Sequence, residues 1–167
     1  RTQTVLKRIR LTVADVTADG QAHLYSVAEN GGAPLLLTPG NYMAEYITLS
    51  PDGRFLLFAG NAGSDKDDID RRHVVKVPVD KAQPQVITPG AGLEWTPFVT
   101  DDGKSIAFIG ATSDRPPLPA VIPFNGGKAT WIGAERIPAD FPSKLVTPAK
   151  VVLKSPDGVE FHSQLFN

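Results

Sequence analysis

Apolar residues in this chain fall in short runs, separated at regular intervals by clusters of turn-forming residues. FLLF at 55–58, IAFI at 106–109 and LLL at 35–37 are each flanked closely by Gly, Pro, Asn or Asp. Runs of that length, bounded in that way, read as strands buried on both faces, and no longer stretch carries the period of an amphipathic helix. The pattern also repeats. LSPDGRFLLFAG at 49–60 returns as VTDDGKSIAFIG at 99–110, and HLYSVAENGGAPLLLTPG at 23–40 returns as HVVKVPVDKAQPQVITPG at 73–90, both at an offset of 50 residues. A period of about 40–50 residues filled with short strands marks a β-propeller blade. A blade must stack on its neighbours to bury both faces, so the fold expected is all-β: a partial β-propeller of about three four-stranded antiparallel blades. So few repeats also read as a piece of a larger protein.

Superposing the copies assigns the strands. The innermost strands are expected at Ala44–Leu49 and Glu94–Val99, and the second strands at Arg54–Ala59 and Lys104–Ile109. Third strands follow at Ala22–Ala28, His73–Val79 and Leu118–Phe124, and outer strands at Ala33–Thr38, Gln85–Thr88 and Lys128–Ile132. In the first copy Leu11–Val16 takes the second slot and Thr17–Gly20 the turn after it. Its innermost strand must come from residues 2–8 or be missing, and the first blade reads as incomplete.

The turns have a chemical logic. In Ser50-Pro51-Asp52-Gly53, Pro presets φ for the first central position and Gly supplies the left-handed residue that follows. The Ser50 hydroxyl is placed to satisfy a backbone N–H of the same turn. Thr100-Asp101-Asp102-Gly103 repeats this without the Pro, and Asn30-Gly31-Gly32 and Asn125-Gly126-Gly127 close the outer hairpins.

Composition adds limits more than content. Among 167 residues the formal net charge is −1, which gives no reason to expect nucleic acid or an anionic membrane as partner. There are no cysteines, which excludes disulfides and thiol chemistry. The chain opens RTQTVLKRIRL without a Met and so reads as an interior segment, leaving any targeting sequence out of view. No cofactor and no metal is expected.

The repeat SPDG followed by an apolar strand, then His-x-x-x-Val (His23–Val27, His73–Val77), then Leu/Ile-Thr-Pro-Gly, resembles the propeller blades of prolyl-oligopeptidase-family serine peptidases. That family includes dipeptidyl-peptidase-IV-like and acylaminoacyl-peptidase-like enzymes. The repeat is also similar to that of the Tol-system periplasmic propeller protein. After Ala134 the repeat stops, and a connector containing Pro138, Pro142 and Pro148 leads to VVLKSPDGVEFHSQLF at 151–166. That segment resembles the opening hairpin of the α/β-hydrolase domain that follows the propeller in those peptidases. The resemblance implies blades over 1–134, a linker over 135–150 and the start of a hydrolase domain over 151–167. It implies a non-catalytic, substrate-gating part of a peptidase that cleaves dipeptidyl or acylaminoacyl substrates, in a periplasmic or secreted rather than cytoplasmic setting. The alternative is a Tol-like propeller that binds protein partners without catalysis. Expected partners are a peptide substrate through the parent enzyme, the parent's hydrolase domain and further copies of this chain.

No catalytic residue is assigned. Such peptidases need Gly-x-Ser-x-Gly on a strand-to-helix turn; the nearest string, Gly103-Lys104-Ser105-Ile106-Ala107, lacks the last Gly and opens a strand. The candidates for a substrate channel are Glu45, Glu94, Arg71 and Arg72. Each glutamate precedes an aromatic residue (Tyr46, Trp95) at the start of an innermost strand, which reads as an equivalent pair, either presented to a peptide amino terminus or capping backbone N–H groups. The arginines in Asp70-Arg71-Arg72-His73 suit either a substrate carboxylate or an ion pair that locks the blades. The carboxylates of Ser64–Asp70 lack the glycine and glutamate of a calcium-binding EF-hand loop and read as a solvated loop. His23 and His73 share one repeat slot, which blade geometry dictates, and His162 falls in the terminal hairpin with a structural role.

Overall fold

The computed structural model describes residues 20–65 and 67–166, together with the backbone of Gln3–Leu6 and Ile9–Val13. The fold is all-β, with three four-stranded antiparallel sheets and a two-stranded hairpin. The first sheet contains β1 (Gln3–Leu6), β2 (Ile9–Val13), β3 (Leu24–Ala28) and β4 (Leu35–Leu36). β5 (Ala44–Leu49), β6 (Phe55–Gly60), β7 (His73–Pro78) and β8 (Gln85–Val86) form the second sheet. The third is β9 (Leu93–Val99), β10 (Ser105–Thr112), β11 (Arg115–Pro123) and β12 (Thr130–Trp131). In each sheet the four strands pair in chain order. The reading of the first blade as incomplete is therefore corrected, since Gln3–Leu6 pairs with β2 over its whole length. Of the strand expected at Leu11–Val16 and the turn expected at Thr17–Gly20, residues 14–19 lie outside the described residues.

Period-two alternation explains why the middle sheet is apolar on both faces. Leu56, Phe58, Val75 and Val77 pack toward the first sheet with Leu24 and Leu37. Their neighbours Leu57 and Val74 face the other way, into Ile106, Phe108, Ala120 and Ile122 of the third sheet. β6 is thus buried almost continuously, whereas β10, packed on one side only, alternates between buried and half-buried residues. β6 ends in Gly60 and β10 carries Gly110 at the matching place, because a side chain would have no room there: a Cβ on Gly60 would lie 2.9 Å from the Phe58 ring, and one on Gly110 would lie 2.8 Å from the Trp131 ring.

The turns follow the expected chemistry. Gly53 and Gly103 sit at φ of 70° and 71°, and the Ser50 hydroxyl accepts the Phe55 N–H at 2.9 Å while donating to Asp52 at 2.6 Å. The same device recurs at Ser155, whose hydroxyl accepts the Val159 N–H at 3.1 Å in the terminal hairpin. In β5 and β9 one extra residue bulges against the neighbouring strand, with Tyr46 and Thr96 at φ of 52° and 51°. The two bulges meet across the sheets, where the Thr48 hydroxyl donates to the Pro97 carbonyl at 2.6 Å.

Beyond the third sheet the chain makes short 3-10 turns at Ala134–Arg136 and Pro142–Lys144. It then forms a hairpin of β13 (Ala149–Lys154) and β14 (Glu160–Leu165), which pairs with no strand of the other sheets.

Candidate functional site

The loop from Asn61 to Arg72, between β6 and β7, organises the polar chemistry of the described residues. Its short 3-10 turn Asp68–Asp70 buries Asp68 and leaves Asp70 toward solvent. Asn61 anchors the loop at both ends, accepting the Met43 N–H at 2.8 Å and donating to the Ile69 carbonyl at 3.2 Å. The loop separates two clefts. One, of about 820 Å³, is lined by Asn41, Tyr42, Asp65, Asp68, Arg71 and His73 among others. The other, of about 590 Å³, lies between the loop, the third sheet and the terminal hairpin.

A charge network crosses from the second sheet to the third beneath the first cleft. His73 is fully buried at the start of β7. Its Nδ1 lies 3.1 Å from Glu94 Oε2 and its Nε2 lies 3.1 Å from Asp68 Oδ1, so the ring is held between two carboxylates. The Thr88 hydroxyl donates to the same Glu94 oxygen at 3.0 Å and accepts the Val74 N–H at 2.8 Å. Asp68 in turn accepts Arg71 at 3.0 Å and the Asp65 N–H at 2.9 Å. Burial works against a charge on His73, but the hydrogen bonds to Glu94 and Asp68 outweigh it and raise its pKa above the ordinary histidine value. Burial likewise pushes Asp68 up, and the donors His73, Asp65 N–H and Arg71 together bring it below the usual carboxylate range.

The four channel candidates therefore part company. Glu94 is buried within this network, and Arg71 is committed to Asp68 and, at 3.8 Å, to Asp65. Arg72 donates through Nε to Glu45 within the second sheet, and through a terminal nitrogen to the Arg71 carbonyl at 2.9 Å. The reading of Glu45 and Glu94 as equivalent is overturned by the strand register. Ala44 faces Gly60 as Glu94 faces Gly110, and Glu45 faces Ala59 as Trp95 faces Ile109. A one-residue slip moves a side chain to the opposite face. The Glu45 side chain is accordingly 40% exposed and that of Glu94 only 9%. The signal that locates the network is where the repeat breaks: the histidine slot recurs, but the position 50 residues before Glu94 is alanine.

Two further features have no counterpart in the sequence reading. Tyr42 lies in the core between the first two sheets, stacked parallel to Phe58 at 6.5 Å between ring centroids, and its buried hydroxyl has no hydrogen-bond partner among the described residues. Burial pushes that phenol up to about 12. Lys76 is also buried, its Nζ donating to the Phe124 carbonyl at 3.1 Å and to Asn125 Oδ1 at 3.0 Å, 4.1 Å from the Phe124 ring centroid. Both tie neighbouring sheets together.

The acidic loop spends its carboxylates on cations of the chain itself, and Lys150 and His162 of the terminal hairpin reach Asp67 and Asp70. Among the described residues no group of three or more His, Asp or Glu side chains is arranged to hold a metal ion.

No protein-family model matches the chain. No curated protein matches it either. Solved structures do. A puromycin-hydrolysing peptidase from Mycobacterium tuberculosis superposes with a TM-score of 0.71 at 17% identity, over 96% of this chain and 24% of its own length. A puromycin hydrolase gives a TM-score of 0.72 at 16% identity, over 93% of this chain and 23% of that one. TolB from Acinetobacter baumannii gives 0.54 at 14% identity, over 94% of this chain and 38% of that one. The chain thus spans about a quarter of the length of these peptidases. At such identities the likeness is one of fold, and the fold shared with peptidases and TolB alike is that of a partial β-propeller.

Proposed function

We propose that this chain is the non-catalytic, substrate-gating propeller portion of a prolyl-oligopeptidase-family serine peptidase, and that residues 151–167 open its α/β-hydrolase domain. The observation that carries the reading is the terminal hairpin. A propeller that only binds partners has no use for a Pro-rich exit into a new two-stranded unit. Here that unit leaves the blades, pairs with none of their strands, and exposes Val152, Leu153, Phe161 and Leu165. Apolar side chains left open in that manner await a core. The peptidases also superpose better than TolB, with TM-scores of 0.71 and 0.72 against 0.54.

In this reading the substrate is a peptide with a dipeptidyl or acylaminoacyl amino terminus, in a periplasmic or secreted setting. The two clefts lie on the loop that the hairpin touches, so a domain built on that hairpin stands over them. Glu45 and Arg72, both partly exposed, are the better placed of the four candidates to meet a substrate, because Glu94 and Arg71 are spent internally. The triad of such an enzyme lies after Asn167. The test is the gene's reading frame past that residue: a Gly-x-Ser-x-Gly elbow, followed by Asp and then His, is expected. A frame that closes without one supports the Tol-like alternative and rejects this proposal.

A further inference from the structure

The hairpin of β13 and β14 is held to the second sheet by side-chain charges. Lys150 Nζ lies 3.0 Å from Asp67 Oδ1 and 2.7 Å from Asp70 Oδ2. His162 Nδ1 faces both oxygens of Asp70, at 2.8 and 3.0 Å. Hydrogen bonds from Lys150 and His162 hold the Asp70 carboxyl below its usual range, and Asp70 and Asp67 hold Lys150 above its own. Among the described residues, these groups and Arg71 are the titratable ones that line the second cleft. Its other walls are Leu93 and Ala111–Ser113 of the third sheet and Ser163 and Gln164 of the hairpin. The hairpin is therefore one wall of that cleft.

The large apolar side chains of the hairpin are mostly open to solvent. Val152, Leu153, Phe161 and Leu165 are all about half exposed, and the four side chains of the contact are themselves 32–42% exposed. Partly exposed ion pairs are weak, screened by salt and easily undone. A contact linked by them is a hinge, unlike the close-packed seams between the sheets.

We propose that Lys150 and His162, with Asp67 and Asp70, form a charge latch that keeps the terminal hairpin against the second sheet as one wall of the second cleft, and that opens as salt rises. Salt screens each of these pairs, and Lys150 is the cation that Asp67 and Asp70 share. The latch belongs to this chain by itself, so its test does not depend on the peptidase reading.

The chain has no cysteine, so two introduced thiols are the only labelling sites. Ser64→Cys on the loop and Val152→Cys on the hairpin, both at exposed positions, carry nitroxide labels whose separation is read by pulsed electron resonance. At low salt a single short-distance population is expected. In 1 M salt the ratio of short- to long-distance populations is expected to fall about two- to fivefold, the effect of losing one partly exposed charged pair. Asp70→Asn should give the long-distance population at low salt as well. His162→Gln should keep the salt response through Lys150, and Lys150→Gln should lose most of it. A distance distribution unchanged by salt and by Asp70→Asn overturns the latch, as does a Lys150→Gln variant that responds to salt as the unsubstituted chain does.

Discussion

Replacing Glu94 by alanine should destabilise the protein far more than replacing Glu45, although the two look alike in the sequence. Glu94 Oε2 accepts from His73 Nδ1 at 3.1 Å and from the Thr88 hydroxyl at 3.0 Å, and His73 and Glu94 side chains are 1% and 9% exposed. Removing one member of a buried pair costs about 3–5 kcal/mol, because the other is left charged and unpaired. The lower end applies here, about 3 kcal/mol, since Asp68 still holds the other ring nitrogen. For a chain of this size each kcal/mol moves Tm by roughly 2–4 °C, so Glu94→Ala should melt about 6–12 °C lower. Glu45 pairs with Arg72 with 40% of its side chain exposed, and Glu45→Ala should cost about 0–1 kcal/mol. The pH dependence has a definite sign. The folded pKa of His73 is raised, so its contribution is complete below the unfolded value of about 6.5 and disappears as pH climbs through the folded value. The gap between wild type and Glu94→Ala should therefore be largest at about pH 6 and shrink toward alkaline pH. Thermal melts by circular dichroism across that range decide the matter. Equal losses for the two variants, or a gap that ignores pH, would refute the buried network.

Gly53→Val and Gly103→Val should each cost on the order of 1 kcal/mol or more, because both positions are left-handed and a β-branched residue resists that conformation; urea midpoints identical to wild type would show the turns to be wrong. The third sheet presents Phe98 and Ile132 at 59% and 55% exposure beside half-buried Ala107 and Ile109, so we expect the isolated chain to self-associate, most simply as a symmetric dimer. Sedimentation that gives a 17.9 kDa monomer independent of concentration would contradict this. Lys76→Ala should cost about 1–3 kcal/mol in urea melts, through two lost hydrogen bonds to the third sheet and the lost cation–ring contact; an unchanged midpoint would mean that the lysine contributes nothing to the seam.

The strands were legible where the repeat and the pattern agree. Ala44–Leu49 is a strand with both expected ends, and the others begin or end within a few residues of expectation. The largest departure is β11, expected from Leu118 but running from Arg115 through Pro116, Pro117 and Pro119. Prolines argue against a strand that must donate on both sides. β11 tolerates them because the two-residue β12 pairs only with Ala120 and Val121, which leaves the proline half without a strand on that side. The outer strands are shorter than expected for a related reason, since only two residues of each keep ladder pairing. Adjacent aromatic residues made Glu45 and Glu94 look equivalent, but the equivalence in space is set by Gly60 and Gly110 across the sheet, which leaves no local mark. The hairpin's contact with the acidic loop spans 92 residues from Asp70 to His162, beyond any local pattern.

The function proposed for this chain is to serve a serine peptidase whose chemistry lies outside it. The measurement closest to that claim compares the full gene product with the 167-residue chain on aminoacyl and dipeptidyl chromogenic esters, before and after a serine-directed phosphonate. Turnover by the full product, abolished by the phosphonate, is expected, and none by the 167-residue chain, which carries no nucleophile elbow. A full product that neither turns over these substrates nor takes up the phosphonate, or a 167-residue chain that does either, would contradict it.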